Sequence, residues 1–210
     1  MFGAIMMGGR APTGIGAGTA NAGSNSNINN FVITLPTLEV GSLAVVVCTF
    51  QNTTGTVTAT AGWTQRQNAN NGTGMRLVVF DRIIDGTEGS TITINCPTAC
   101  TGYCYLFEVT NPGTRNYSTP STSSTSNITF SGPTLSSADR FWFKVCGSRD
   151  TAGGNITAPS GYTTLKNFNA NQVVHFTGYE RKVGTTITAG DAIHSVANSN
   201  VSGVFTIDVI

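Results

Sequence analysis

Charge is scarce in this chain. Lys, Arg, Asp and Glu make up 10% of its 210 residues, against roughly 25% in a typical soluble domain. The balance is +1 at pH 7, so no strong field draws nucleic acid or an anionic membrane. No apolar run approaches the ~18 residues a membrane-spanning helix needs, and no stretch longer than one turn has helical periodicity. Histidine occurs only twice. Gly-x-Ser-x-Gly, His-Glu-x-x-His and Walker sequences are missing, which removes the commonest signatures of hydrolases and nucleotide enzymes. The start, Met1 to Arg10, has no basic segment ahead of its short apolar run, which argues against a secretory signal. Thr, Ser, Asn and Gly fill the space that charge leaves. Thr suits pleated strands, and Gly and Asn suit turns. A surface wet by hydroxyls and amides is expected of a secreted β protein or of a particle's shell component.

The strongest positive signal is repetition. Pro36-Thr37-Leu38, the apolar run Ala44 to Cys48 and Thr58-Ala59-Thr60-Ala61-Gly62-Trp63-Thr64 return downstream in the same order. The echoes are Pro133-Thr134-Leu135, Phe141 to Cys146 and Thr157-Ala158-Pro159-Ser160-Gly161-Tyr162-Thr163. Phe80-Asp81-Arg82 matches Tyr179-Glu180-Arg181, and Phe107-Glu108-Val109 matches Ile207-Asp208-Val209. The chain therefore reads as an extended N-terminal arm, 1–30, followed by a duplicated β unit. Copy one is 31–110, a Ser/Thr-rich crossing is 111–127, and copy two is 128–210.

Each copy carries about five strand signals. Leu43 to Phe50 is nearly continuously apolar, as in a strand covered on both faces. Ile92 and Ile94 alternate with Thr91 and Thr93, and Asp85-Gly86 marks a turn. The fold class is all-β, a sandwich or jelly-roll-like fold built from two tandem repeats. A unit of this size buries its inner face poorly alone. One core shared by interleaved copies is therefore expected, with Val45, Val47, Phe80, Phe143 and Val145 inside. Residues 14–30, with Gly14-Ile15-Gly16-Ala17-Gly18, resemble a phosphate loop only faintly and read as flexible arm and loop.

Catalytic chemistry finds little support. His175 lies between Val174 and Phe176 and aligns near Leu77, so it reads as a packed histidine. Asp191, His194 and Ser195 cannot form a triad in a strand, where alternate side chains face opposite ways. The acids Asp81, Glu180, Glu108 and Asp208 suggest a glycosidase pair, but cross-strand pairs or solvated faces fit them better. Cys48 and Cys146 match as buried thiols. Cys96, Cys100 and Cys104 lack the pairing of a metal site. A disulfide between Cys96 and Cys104 across a turn is sterically open, beside the reading that all three are reduced. No enzyme, cofactor or metal is expected.

Leu35-Pro36, Gly41-Ser42-Leu43, Ala61-Gly62-Trp63-Thr64, Arg76-Leu77-Val78-Val79-Phe80-Asp81-Arg82 and Asp85-Gly86-Thr87-Glu88-Gly89-Ser90 occur in that order. Ser137-Ala138-Asp139-Arg140-Phe141-Trp142 and Pro159-Ser160-Gly161-Tyr162 follow. In this order the motifs resemble a recurrent β-sandwich of tailed-bacteriophage virion proteins, over residues 31–210. The chain departs from that group in having no fused tail or collagen-like segment. The resemblance implies a structural virion component, assembled in the host cytoplasm. A capsid decoration or cement protein that stabilises the head lattice is the leading expectation. Its partners would be the major capsid protein or neighbouring virion subunits, with a homo-oligomer, a trimer, as the expected state. The apolar leader residues Phe2, Ile5, Met6 and Met7, with Arg10, are the expected partner-binding set. The alternative is a receptor- or carbohydrate-binding module of a tail or head fibre, with Trp63, Tyr117 and Tyr162 stacking on sugars. A secreted adhesin is a third reading.

Overall fold

The computed structural model describes residues 13–51, 55–72, 74–132, 134–149, 155–170, 173–187, 192–194 and 199–210. The expected leader contacts Phe2, Ile5, Met6, Met7 and Arg10 lie outside the described residues. All regular structure described is β, in antiparallel ladders. Copy one supplies β1 (Gly14–Thr34), β2 (Leu43–Gln51), β3 (Thr58–Ala59), β4 (Thr64–Asn71), β5 (Met75–Ile83) and β6 (Thr91–Thr110). These form one sheet in the order β1-β6-β2-β5-β4, with β3 also on β6. The rest of the chain supplies β7 (Arg115–Tyr117), β8 (Ser121–Ser123), β9 (Asn127–Ile128), β10 (Ala138–Arg149), β11 (Ile156–Thr157), β12 (Thr163–Ala170), β13 (Val173–Gly184), β14 (Ala192–His194) and β15 (Asn200–Asp208). A second sheet runs β12-β13-β10-β15-β7 with β8 on β15, and β11-β14-β9 form a small third sheet.

The ladders repeat as the sequence does. Val45 pairs with Asp81 on one side and Phe107 on the other. Phe143, 98 residues later, pairs with Tyr179 and Phe205. A bulge falls between Gln65 and Gln67 in β4 and between Thr164 and Lys166 in β12. The small third sheet repeats the far ends of β1 and β6 with β3: Thr58 pairs with Asn95, and Ile156 with His194.

These ladders move two of the acid matches by one or two residues. Asp81 corresponds to Tyr179 and not to Glu180, and Glu108 corresponds to Thr206 and not to Asp208. A one-residue slip exchanges the faces of a strand. It is why Phe80, expected in the shared core, lies in a different cluster.

The core between the two large sheets is shared, but the copies do not interleave. Each contributes one whole sheet. Leu43, Val45, Val47, Leu77, Val79 and Phe107 of the first sheet meet Phe143, Val145, Val173, Val201 and Phe205 of the second. The other face of each sheet is also covered. In copy one, register shifts between Ser24 and Asn30 bend the long β1–β6 pair. Phe31, Ile33, Ile92 and Ile94 thereby fold over Val46, Cys48, Phe50, Val78 and Phe80. The Phe31 and Phe50 rings stand 5.0 Å apart. In copy two, Ile128, Ile156 and Ala192 cover Cys146, Val174 and Phe176. Cover on both faces explains why β2 is buried throughout and why its sequence does not alternate.

Two expected loops are strands. Residues 14–30 belong to β1, held along β6. A bulge after Ile15 turns the Gly18 N–H onto the buried carboxylate of Glu108, which also accepts the Glu39 N–H at 2.7 Å. Removal of residues 1–30 would therefore strip a strand and not merely an arm. The Ser/Thr-rich crossing contains β7 and β8, which lie on the outer side of β15.

Candidate functional site

The most organised polar cluster surrounds Asp81, at the end of the inward row Leu77, Val79, Asp81 on β5. Its carboxylate is 1% exposed. The β4 bulge places Arg66 between two paired residues and aims it at Asp81, with Nε 2.8 Å from Oδ1. Across the seam, β7 alternates Arg115 and Tyr117 toward the same group. Arg115 donates to Oδ2 at 3.1 Å and the Tyr117 hydroxyl donates to Oδ2 at 2.6 Å. The Arg66 guanidinium stands 5.7 Å from the Tyr117 ring centre, and that ring stacks on Phe205 at 5.2 Å. Burial, and then the Asp81 charge, push the Tyr117 phenol well above its ordinary value.

Beside this cluster opens a cleft of about 310 Å³. Thr64, Arg66, Asp81, Arg82, Asp85 and Arg115 are among the residues that line it. Arg82 is held by Asp85 at 3.0 Å, Thr87 at 2.7 Å and Glu88 at 3.5 Å. The Thr87 hydroxyl and N–H keep the Asp85 carboxyl far below the usual carboxylate range. Gly62 has φ +89, and a Cβ there would stand 2.5 Å from Arg82. The Ala-Gly-Trp-Thr turn thus needs glycine both for its backbone and for the guanidinium beside it.

The three aromatic candidates enter separate contacts. Trp63 is half-buried against the covered outer face of copy one. Tyr117 has its hydroxyl on Asp81 and its ring between Arg66 and Phe205. Tyr162 donates to Glu180 at 3.1 Å, and the Lys144 Nζ lies 4.5 Å from its ring centre. Burial followed by the Glu180 charge raises the Tyr162 phenol. Lys144 belongs to a row that local pattern concealed. Arg140, Trp142 and Lys144 are all buried on the outer face of β10, where Ser42, Ala44 and Val46 stand in copy one.

All five cysteines are buried, and none is in a disulfide among the described residues. Cys96, Cys100 and Cys104 lie in one continuous strand, so the bridge considered across a turn does not form. Cys104 is the cross-strand partner of Cys48. Burial first, then the hydrogen bond with Cys48, raises the Cys104 thiol, which disfavours the reactive thiolate. No metal-binding group occurs among the described residues.

His175 is fully buried, at the position of Leu77. It bridges the sheets, with Nδ1 3.1 Å from the Thr49 hydroxyl and Nε2 2.9 Å from that of Thr177. Burial, with a smaller contribution from Lys166, lowers its pKa to about 3. The unfolded chain binds a proton near pH 6.5 and the folded one does not. Stability is therefore complete above that pH and declines as pH falls from 6.5 toward 3. Between pH 7 and pH 5 the expected loss from this group is about 2 kcal/mol. Urea unfolding of the parent and of His175→Leu at both pH values measures it; equal pH slopes would refute the assignment.

Nothing local in the sequence marks the Asp81 cluster. Arg66 sits in a polar strand, and its partners are 15 to 51 residues away. One clue was present: Arg115 is the single charged residue between Asn111 and Asn127, and a mere linker has no need to place it. No family model, curated protein or solved structure matches the chain at a significant level.

Proposed function

We propose that the chain is a structural component of a virion, a phage capsid decoration or cement protein that binds and stabilises the head lattice. The observation that carries this reading is β1. It is the outermost strand of its sheet and is 21 residues long. Its sequence, Gly14 to Thr34, contains no Lys, Arg, Asp, Glu or Pro. Proteins that keep an edge strand from pairing use those residues to do it. An edge of this length without charge or proline, interrupted at register shifts after Ile15 and Ser24, suits main-chain pairing with a neighbouring shell subunit. The low charge suits a contact that salt does not weaken. The resemblance over residues 31–210 points to the same class of particle.

Copy number per purified particle tests the proposal, by quantitative mass spectrometry against the major shell protein. Hundreds of copies are expected, and Ala17→Lys at an exposed edge position should leave a folded protein that no longer loads onto particles. A few to a few dozen copies would favour the fibre-borne, carbohydrate-binding reading, which the arginine-lined cleft supports. No copies at all would overturn both.

A further inference from the structure

We propose that the cleft beside Asp81 binds the carboxylate of an acidic sugar residue. The first reason is the charge arrangement. Arg82 is paired with both Asp85 and Glu88, which leaves that group with one negative charge in excess. At Asp81, one carboxylate faces two guanidiniums, Arg66 and Arg115. A tie between sheets needs only one arginine to neutralise Asp81. The second leaves this group with one positive charge in excess, an arrangement that an added anion would complete.

The second reason is access. Asp81 is sealed, with 1% of its side chain exposed, while Arg66 and Arg115 keep 33% and 27%. The carboxylate holds both forks in place and Tyr117 holds the carboxylate. The guanidiniums therefore face the cleft with little rotamer freedom left to lose on binding.

The third reason is the comparison between copies. The positions of Asp81 and Arg66 are occupied by Tyr179 and Leu165 in copy two. Tyr179 there packs on Phe141 and Phe143 at 5.5 and 6.0 Å. The same place in the same fold is thus filled without ions, so stability alone does not call for them.

The ligand class follows from size and polarity. About 310 Å³ is at the small end of ligand sites and admits about one sugar ring. A planar carboxylate matches a guanidinium fork and answers the excess positive charge at Arg66 and Arg115. Asp85, 60% exposed and also in the cleft lining, is an acceptor for hydroxyl groups. A ligand with an anion at one end and hydroxyl donors at the other fits both groups. This inference stands apart from the shell reading, since a lattice-bound protein can carry such a site outward.

The test is a titration of the whole chain with sodium glucuronate, sodium acetate and glucose at matched ionic strength, followed by NMR of the arginine side-chain N–H signals. Saturable shifts of Arg66 and Arg115 are expected with glucuronate, weaker ones with acetate and none with glucose. Arg66→Gln should weaken glucuronate binding about tenfold. Thr64→Trp, from an exposed position on the cleft wall, should abolish binding while leaving the ion pairs and the fold intact. Thr64→Trp decides the matter should Arg66→Gln fail to fold. No saturation with glucuronate, equal response to acetate, or undiminished binding in Thr64→Trp would each overturn the proposal.

Discussion

Phe143→Ala is expected to lower the free energy of unfolding by about 4 kcal/mol, within the usual range for emptying a buried aromatic site. Phe143 is fully buried at the centre of the shared core. It stacks on Phe205 of its own sheet at 4.8 Å and on Phe107 of the facing sheet at 5.1 Å. Tyr179 adds a third ring at 6.0 Å. Its counterpart in copy one is Val45, so the two inner faces are complementary in size and not identical. The hole left by alanine would be bounded by large rings that cannot all move in. Urea unfolding measures the loss. Because this core joins the copies, the loss should also appear as one transition. The two tryptophans report separately, Trp63 from copy one and Trp142 from copy two. Single-tryptophan variants should give coincident midpoints, both shifted by Phe143→Ala. Midpoints that separate would mean that each copy folds on its own outer cluster, and that the shared core is secondary.

Asp81→Ala is expected to cost about 3 kcal/mol, the lower end for removing one partner of a buried ion pair. The lower end applies because Arg66 and Arg115 are partly exposed and water can reach them. The Tyr117 hydroxyl is more enclosed and loses its carboxylate acceptor, and an unpaired buried hydroxyl is costly. The cluster joins β4 and β5 of one sheet to β7 of the other, so the variant should loosen the seam at that end. Amide exchange should rise at Arg115 and Tyr117 before it rises in β10. A change below about 1 kcal/mol would show that the pairs act as surface pairs do, and that the cleft is not preorganised by Asp81.

The repeat was legible because its signals are local and occur twice. The apolar run of β2 and that of β10, the turn before Trp63 and that before Tyr162, and the matching Cys48 and Cys146 need no partner to be recognised. The placement of His175 at the position that Leu77 holds in copy one was readable for the same reason. Residues 14–30 were not legible as strand. Gly, Asn and Ser carry no hydrophobic alternation, and what holds them is the ladder with β6, whose paired residues lie 65 to 96 positions away. The crossing at 111–127 misled in the same manner, since β7 and β8 are strands only because β15 offers them an edge.

By itself, the sequence determined that the chain is all-β and which stretches form the central strands. Turn chemistry and side-chain periodicity act over a few residues and are written in the chain. Tertiary structure alone decided that each copy forms one sheet, that the copies share a core face to face, and that the acids of the two copies are not equivalent. It also decided where Asp81 meets Arg66, Arg115 and Tyr117. Register depends on which strand lies alongside, and a slip of one residue reverses every side chain. Ion pairs across a seam depend on two sheets meeting, and nothing local in either sheet encodes the other.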